Sequence, residues 1–138
     1  MIMPILAVRD TQASIDFYTQ SLGFQLVFSM PGEGGSTVFA IVSLSETASI
    51  GLMADTETSD RGKGVALMTY VTPETDIDAY YSDVQAKGVS IVREIRDEFW
   101  GDRCFDITDI DGYYLSICKT TQQMSGEEII ANAAGSMG

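Results

Sequence analysis

Three aspartates stand close together near the end of the chain, in the stretch DITDIDGYYLSI at residues 106–117. Carboxylates at this density could bind calcium, but an EF-hand loop needs donors at positions 1, 3 and 5, glycine at position 6 and glutamate at position 12. With Gly112 at position 6, Ile107 occupies position 1 and Cys118 position 12, and neither fits. Asp-Gly between alternating apolar residues is the usual signal of a hairpin turn. The sequence therefore predicts a turn between two strands rather than a calcium site.

The 138 residues contain no histidine and two cysteines. The absence of histidine excludes Ser-His-Asp and Cys-His nucleophile systems and removes the commonest metal ligand. Cys104 and Cys118 lie almost symmetrically about the turn at Asp111-Gly112, which indicates that they face each other across a hairpin. Without histidine they are not expected to form a zinc site. A disulfide between them is geometrically feasible, whereas a reducing compartment favours free thiols.

The segment DEFWGDR at residues 97–103 contains the only tryptophan of the chain, Trp100. One interpretation is an aromatic wall of Phe99 and Trp100, flanked by Glu98 and Asp102, that stacks on and pairs with a cationic ligand. The alternative is a loop whose aromatic residues only anchor it to the body of the protein. The sequence favours neither interpretation over the other.

The chain carries 20 acidic and 8 basic residues, which gives a net charge of −12. Nucleic acids and anionic membranes are bound by basic surfaces, so neither is an expected partner. The charge is compatible with a cationic ligand, although solubility alone would also account for it. No apolar run approaches the roughly 20 residues of a membrane span, and the N-terminus lacks the features of a signal peptide, so we expect a cytoplasmic protein.

Residues 5–27 resemble residues 67–92, which indicates an internal duplication. Each copy reads as an apolar strand, a turn, an amphipathic helix, a glycine and then further strands. The matched pairs are Val8 with Val71, Ile15 with Ile77, and Gly23 with Gly88, at offsets of 63, 62 and 65 residues. The sequence therefore predicts an α+β fold of two tandem βαβββ modules, at about 1–54 and 65–119, joined by a polar linker at 55–64.

Polar residues and glycines mark the ends of the two predicted helices. Ser14 is expected to cap the first helix, and Thr75 or Asp76 the second. Gly23 and Gly88 stand where a left-handed C-terminal cap belongs. After residue 119 the strand pattern stops, and the tail at 120–138 is expected to fray or to form a short helix around 127–133 that docks on a partner.

The strings VRDTQASIDFYTQSLGF near the start and FWGDRCFDITDIDGYYLSI near the end resemble the vicinal oxygen chelate superfamily, which includes glyoxalase I, bleomycin-resistance proteins and extradiol dioxygenases. The resemblance covers about residues 2–119 and implies one domain in which the two modules form a cupped mixed sheet. In the turn at 109–113 the proline and asparagine typical of the superfamily are absent. Because one fold hosts many functions, the activity has to be argued from the site.

Metal-dependent members of that superfamily hold their ion with four ligands, which come from the first and last strand of each module. The resemblance places these positions at Met3, Gly51, Ala66 and Ser116. A catalytic Fe, Mn, Ni or Zn site needs three or four imidazole or carboxylate donors, and these side chains supply none. We therefore expect no metal, no other cofactor and no catalytic residue of the superfamily's type.

Successive residues of a strand point to opposite faces of a sheet, so Tyr114 and Cys118 share the face of Ser116. Met68 and Tyr70 join them in a cup whose lining suits a flat, partly apolar organic molecule. We expect ligand binding by Phe39, Met68, Tyr70, Glu98, Phe99, Trp100, Asp102, Arg103, Tyr114 and Ser116. The expected roles are stacking for Phe99, Trp100 and Tyr114, apolar lining for Phe39 and Met68, and charge pairing for Glu98 and Asp102.

Together these features favour a metal-free small-molecule binding protein of the bleomycin-resistance type, with a role in antibiotic resistance. We expect a homodimer in which a neighbour's module completes each cup. The cup is expected to sequester an amphiphilic organic molecule, and cationic molecules belong to this class. The alternative is an enzyme related to glyoxalases and dioxygenases, a lyase or isomerase, with atypical metal ligands or none. A structural or regulatory interaction module is the third hypothesis.

Overall fold

The computed structural model describes residues 2–55, 57 and 60–136. Three residues of the predicted linker (56, 58 and 59), the first residue of the first module and the last two residues of the tail lie outside the described residues. Within the described part of the chain, no helix is long and apolar enough to cross a membrane.

The first module folds as βαβββ. Strand β1 (Ile5–Val8) leads into helix α1 (Thr11–Asp16), which a π-helical turn at Phe17–Ser21 continues. There follow strand β2 (Gln25–Pro31), a 3₁₀ turn (Glu33–Gly35), and strands β3 (Thr37–Ser45) and β4 (Ala48–Ala54). The order in the sheet is β1-β4-β3-β2, with β1 parallel to β4 and the other neighbours antiparallel.

The second module repeats this arrangement. Its elements are β5 (Ala66–Tyr70), α2 (Ile77–Ala86), β6 (Ser90–Asp97), β7 (Asp102–Thr108) and β8 (Tyr114–Thr120). The order in the sheet is β5-β8-β7-β6, and again only the pair β5 and β8 is parallel. The predicted α+β fold of two βαβββ modules is confirmed, with the strands in two four-stranded sheets. A third helix, α3 (Gly126–Ser136), follows the second module.

The start of α1 differs from the prediction. Asp10 caps this helix, since its carboxylate accepts a hydrogen bond from the backbone of Ala13 at 3.0 Å. The prediction of Ser14 as the cap is wrong. Ser14 lies one turn inside the helix, is buried, and donates its hydroxyl hydrogen to Asp111 in the second module.

The other predicted helix ends are confirmed. Asp76 caps α2 by accepting a 3.1 Å hydrogen bond from the backbone of Ala79. Gly23 and Gly88 follow the two helical segments with φ angles of 73° and 79°. Only glycine adopts such angles without a steric penalty, so these two positions end the helices and redirect the chain into the next strand.

One hydrophobic core joins the two modules on the helix side of both sheets. The strands bury alternate residues toward this core, such as Val8 on β1 and Leu115 and Ile117 on β8. This alternation follows from the two-residue period of a strand. On the other faces of the sheets, Ile5 and Met68 are 53% and 54% exposed, so those faces are open to solvent in the single chain.

The aspartate-rich stretch is a turn, as predicted, and it also fastens the modules together. Gly112 donates to the carbonyl of Asp109 at 3.1 Å and has a φ angle of 89°, which closes the turn. Asp109 accepts a 2.6 Å hydrogen bond from the phenol of Tyr18, and Asp111 accepts one of 3.2 Å from Arg9. These carboxylates therefore hold the first module against the second.

The tail rests on the loop between β6 and β7. Ser125 and Glu128 form a capping box at the start of α3, in which each side chain accepts a hydrogen bond from the other residue's backbone. Before the helix, two backbone NH groups donate to the carbonyl of Gly101 at 2.9 and 3.0 Å. From the helix, Asn132 donates to the carbonyl of Phe99 at 3.2 Å. The helix predicted around 127–133 thus lies within α3 and contacts its own chain.

Candidate ligand-binding site

The open face of the second sheet is the face opposite α2. Phe105 marks the α2 side, because its ring packs against Tyr80 and Tyr81 of that helix. By strand alternation and sheet register, the open face carries Met68, Tyr70, Asp102, Cys104, Asp106, Tyr114, Ser116 and Cys118. Half of the residues predicted to bind a ligand therefore lie together on this face.

A buried carboxylate, Asp106, organises the polar part of the open face. It is 3% exposed, and it accepts hydrogen bonds from Ser116 at 2.8 Å, from Arg96 at 3.0 and 3.3 Å, and from the phenol of Tyr114. Burial alone would raise the pKa of Asp106, but the hydrogen bonds from Tyr114, Arg96 and Ser116 lower it below the ordinary value. Asp106 is therefore a fixed anion at neutral pH and orients the two hydroxyl groups.

Arg96 links this network to the loop before β7. Its guanidinium contacts Glu98 at 2.5 Å and Asp106 at 3.0 Å. Burial opposes the charge of Arg96, but the hydrogen bonds to Asp106 and Glu98 raise its pKa. Arg93 lies 3.8 Å from Glu98 as well. Glu98, which was predicted to pair with a ligand's charge, therefore already has cationic partners within the protein.

Asp102 connects the open face to the tryptophan loop. It is 4% exposed and accepts hydrogen bonds from the phenol of Tyr70 at 2.5 Å and from the indole nitrogen of Trp100 at 2.8 Å. Burial and the bond to Asp102 raise the pKa of the Tyr70 phenol, which therefore keeps its proton. Both donors are neutral, and in the part of the chain that the structure describes no lysine or arginine forms an ion pair with Asp102.

Cys104 and Cys118 face each other across β7 and β8, as their symmetry about the turn predicted. Both are free thiols, fully buried, with sulphur atoms 2.7 Å apart. The hydrogen bond from Cys104 lowers the pKa of Cys118 and raises that of Cys104 itself. With Asp102, the thiols place three donor atoms within 4.8 Å of one another, the one such group among the described residues that could hold a metal ion.

Phe99 and Trp100 form the rim of the open face, in the loop between β6 and β7. Their rings meet edge to face with centroids 5.0 Å apart, and both side chains are partly exposed. The loop is closed by a 2.7 Å backbone hydrogen bond from Glu98 to Asp102. Trp100 therefore anchors the loop through Asp102, as the second interpretation expected, and it also presents part of its ring to solvent, which leaves stacking on a ligand a prediction.

Two of the predicted residues lie elsewhere. Arg103 is on the α2 side of β7, where it pairs with Asp78 at 2.8 Å and with Asp97 at 3.1 Å. Strand alternation puts it there, because Cys104 next to it faces the open side. Phe39 belongs to β3 in the first sheet. Within one chain the structure therefore does not bring Arg103 or Phe39 to the open face of the second sheet.

The first sheet has an apolar open face of its own around Phe39. In the register of the strands, Phe39 stands opposite Met30 and Met53, and its ring lies 6.4 Å from that of Phe28. Phe28 and Met30 are 45% exposed, Met53 46% and Ile5 53%. The open faces of the two sheets thus differ in chemistry, one being apolar and the other polar.

A cavity of about 210 Å³ lies where the two modules meet. Met68 and Tyr70 line it from β5, while Ser49 and Ile50 line it from β4 and Pro4 from the segment before β1. Met68 and Tyr70 belong to both the cavity and the open face. The cavity therefore extends the candidate site toward the first module.

Asp106 and Arg96 are the site residues that the sequence reasoning missed. A signal for Asp106 existed, because Cys104 was predicted to stand opposite Cys118, and Asp106 is two residues from Cys104 on the same strand. Strand alternation then places Asp106 opposite Ser116. No comparable signal existed for Arg96, because the register between β6 and β7 shifts on both sides of Arg93.

A family model described as Glyoxalase/Bleomycin resistance protein/Dioxygenase superfamily matches residues 2–117. The chain belongs to this superfamily. An uncharacterized protein of Mycobacterium bovis is 27% identical over 137 residues, which cover 93% of this chain and 88% of that protein. The resemblance that the two sequence strings suggested is thereby confirmed.

Solved structures of the superfamily's fold are similar to this chain along most of its length. The structure of TioX from Micromonospora sp. ML1 has a TM-score of 0.69 and 20% identity, covering 91% of this chain and 99% of that one. The structure of TnmS3, an antibiotic binding protein from Streptomyces sp. CB03234, has a TM-score of 0.61 and 24% identity, covering 86% and 93%. At these identities the similarity establishes the fold.

The positions that the sequence resemblance assigns to the superfamily's metal ligands carry residues that do not fit a metal. These residues are Met3, Gly51, Ala66 and Ser116. A Cβ atom at Gly51 would lie 3.2 Å from the ring of Phe39 and from the side chain of Ile5, so a ligand side chain there would crowd both. The hydroxyl of Ser116 donates to Asp106. Methionine and alanine at the remaining positions supply neither a carboxylate nor an imidazole.

Proposed function

We propose that the protein is a metal-free small-molecule binding protein of the bleomycin-resistance type, which holds an amphiphilic organic ligand against the open face of the second sheet. The observation that carries this proposal is the buried carboxylate of Asp102, whose hydrogen-bond donors, Tyr70 and Trp100, are both neutral. A buried charge without a countercharge is costly. A cationic group of a ligand beside Asp102 would offset that cost.

The apolar part of such a ligand has surfaces to contact on either side of Asp102. Trp100 and Phe99 present partly exposed aromatic rings at the rim, suited to stacking on a flat ring system. Met68 is 54% exposed and adaptable in shape, and Tyr114 is partly exposed beside it. A cation at Asp102 and a flat apolar body between Trp100 and Met68 describe the ligand class that we infer.

The other carboxylates of the face favour binding over catalysis. Glu98 and Asp106 both contact Arg96, and Asp106 also accepts hydrogen bonds from Ser116 and Tyr114. A general base works best with a pKa near the operating pH, whereas the pKa of Asp106 is lowered. These groups therefore offer fixed polar contacts, which is the composition of a binding pocket.

The proposal includes a homodimer in the cytoplasm, in which a neighbour's first sheet closes each site. That sheet has an apolar face, on which the side chains of Phe28, Met30 and Met53 are each 45–46% exposed. Contiguous exposed apolar patches usually mark interaction surfaces. Laid over the polar open face of a second copy, this sheet would complete an amphiphilic cup and bring Phe39 to the ligand.

The similarity to TnmS3 bears on the ligand. That protein is described as an antibiotic binding protein, and it shares the fold of this chain. The proposed ligand is therefore an antibiotic-like molecule, and the proposed role is antibiotic resistance. The chemical class of this ligand is the one that Asp102 and Trp100 imply, a flat amphiphile with a cationic group.

Calorimetric titration with a bleomycin-like glycopeptide and a series of small planar aromatic cations, each paired with a neutral analogue, tests this proposal. Asp102→Asn keeps the size of the side chain and removes its charge. We expect it to weaken binding of the cations by about tenfold, equivalent to about 1.4 kcal/mol, and to leave the neutral analogues almost unchanged.

Asp97→Asn is the matched control, because Asp97 is an exposed carboxylate that pairs with Arg103 on the other side of β7. It should not change either affinity. If Asp102→Asn lost the same affinity for cationic and neutral ligands, Asp102 would have only a structural role. Binding of anionic ligands alone would overturn the proposal.

An enzyme with atypical metal ligands is the second candidate, and one observation favours it. Asp102, Cys104 and Cys118 hold three donor atoms within 4.8 Å of one another. Elemental analysis of the dialysed protein separates the two candidates. We expect no stoichiometric metal. A content of about one Fe, Mn, Ni or Zn per chain that disappears in Cys118→Ala would make a lyase, isomerase or dioxygenase the leading candidate.

A further inference from the structure

We propose that Cys104 and Cys118 form a reversible thiol–disulfide couple in the floor of the candidate site. They are the two cysteines of the chain, and the sheet register places them directly opposite each other on the antiparallel strands β7 and β8. The proposal concerns a modification site and does not depend on the identity of any ligand.

The geometry already approaches that of a disulfide. The sulphur atoms are 2.7 Å apart. A disulfide bond is about 2.05 Å long, so closing it requires an approach of about 0.7 Å. Directly opposed residues of antiparallel strands have Cα atoms about 4.5–5.5 Å apart, which lies within the range that a disulfide spans. The spacing of the two strands is therefore compatible with the bond.

The pair has polar neighbours, unlike a cysteine that only fills an apolar core. Cys118 accepts a hydrogen bond from Cys104, and its sulphur lies 3.5 Å from the hydroxyl oxygen of Ser116, whose hydrogen is donated to Asp106. Because Cys118 is the acceptor of this bond, its sulphur is the one that we assign as the attacking thiolate. A cysteine that serves only to fill a core is surrounded by apolar groups. Here Asp102 lies within 4.8 Å of both sulphur atoms.

The reaction is a two-electron oxidation by a peroxide. The thiolate of Cys118 attacks one oxygen of hydrogen peroxide, the O–O bond breaks, and the departing hydroxide takes up a proton to leave as water. Cys104 then attacks the sulphur of the resulting sulfenic acid, the S–O bond breaks, and a second water leaves with the proton of Cys104. Two thiols and one peroxide thus give one disulfide and two waters. A dithiol such as dithiothreitol reverses the step by thiol–disulfide exchange.

The oxidant reaches the pair from the open face. Both thiols are fully buried, but their neighbours Tyr70 and Ser116 are only partly so, and a local opening of side chains admits a molecule as small as peroxide. Oxidation of the two cysteines should also affect Trp100 in the rim loop. Because Asp102 accepts the indole hydrogen of Trp100, a disulfide beside Asp102 changes the surroundings of the only tryptophan.

The test exposes the reduced, folded protein to hydrogen peroxide, then denatures it, alkylates it with iodoacetamide and measures the intact mass. We expect the wild type to lose two hydrogen atoms, about 2 Da, and to resist alkylation at both sites. Dithiothreitol should restore two alkylated cysteines. The emission of Trp100 should change with the same time course and stay distinct from that of the unfolded protein.

Cys104→Ala and Cys118→Ala serve as controls, since either variant leaves one thiol and no internal disulfide can form. The wild-type result stands even if a variant folds poorly. Two alkylated cysteines after peroxide treatment of the folded wild type would overturn the proposal. It would also be overturned if the disulfide formed only at the rate of global unfolding, or if a bound metal ion blocked its formation.

Discussion

Two buried aspartates three residues apart, Asp106 and Asp109, are set to respond to acid in opposite ways. Hydrogen bonds outweigh burial at Asp106 and lower its pKa. At Asp109 burial is the largest influence, and the hydrogen bonds from Tyr18 and from two backbone groups only reduce its effect, so the pKa is raised. Asp106 belongs to the open face and Asp109 to the contact between modules, so the two responses report on different parts of the fold.

The sign of each effect follows from proton linkage. A lowered pKa means that the folded protein binds the proton less tightly than the unfolded chain, so the stabilisation by Asp106 is present above the unfolded pKa of about 3.9 and is lost as the pH falls through the folded value. A raised pKa at Asp109 has the opposite consequence. Its contribution is present below the unfolded pKa and is lost as the pH rises through the folded value.

We therefore expect Asp106→Asn to lower the free energy of unfolding by about 2 kcal/mol at pH 7 and by less at pH 3, because acid removes the same interaction from the wild type. Asp109→Asn should steepen the loss of stability on acidification, since it removes a group that gains from protonation. Urea unfolding of both variants between pH 7 and pH 3 measures these slopes. Parallel pH profiles for the wild type and Asp106→Asn would contradict the account of Asp106.

At the scale of elements, α3 and the segment before it support the rim loop that carries Trp100. Gly101 accepts two backbone hydrogen bonds from residues 121 and 122 and a third, of 3.1 Å, from the hydroxyl of Thr121. The helix itself adds the bond from Asn132 to Phe99. The short segment after β8 therefore holds the loop more firmly than the helix does.

Two truncations separate these contributions. Deletion of residues 124–138 removes α3 and keeps the hydrogen bonds to Gly101, whereas deletion of residues 120–138 removes both. We expect both proteins to fold, with the shorter one less stable by about 1–3 kcal/mol, since each hydrogen bond contributes about 1 kcal/mol. Thermal unfolding followed by circular dichroism measures this difference. A large loss of stability in the 124–138 deletion would instead make α3 part of the domain's core.

Elements with local signals could be predicted from the sequence, and contacts across strands could not. The glycines after both helices, the Asp-Gly turn and the alternation along β8 are properties of short segments, and the structure has them as expected. Asp10 caps α1, whereas the hydroxyl of Ser14 binds Asp111, 97 residues away in the chain, a contact that no local pattern predicts. The side on which Arg103 lies was implied by the predicted pairing of Cys104 with Cys118, but the sequence interpretation did not draw that consequence.

At the scale of the whole molecule, the two sheets offer complementary open faces. The first presents methionine and phenylalanine side chains that are nearly half exposed, and the second presents a network of carboxylates, hydroxyl groups and Arg96. Neither face forms a closed pocket by itself. The dimer that we propose, in which the unlike faces of two copies pair, would account for two such different surfaces in a duplicated chain.

Static light scattering at micromolar concentration tests this pairing. We expect the wild type to be a dimer and Phe28→Glu to be a monomer with nearly unchanged thermal stability, because Phe28 is 45% exposed in the single chain. Ile130→Glu is the control, since Ile130 is 72% exposed on α3 and lies outside the apolar face. A monomeric wild type, or the same dissociation in both variants, would count against the shared cup.

The most direct measurement of the central claim is the affinity of a planar aromatic cation for the wild type, Trp100→Ala and Trp100→Phe, determined by calorimetric titration. Stacking on an aromatic platform contributes about 1–3 kcal/mol, so the alanine variant should lose that amount, and the phenylalanine variant, which lacks the bond to Asp102, should lose less. In the wild type, binding should also shift the emission of Trp100, the only tryptophan. If Trp100→Ala binds the cation as tightly as the wild type does, the ligand does not lie at this rim and the proposed site is wrong.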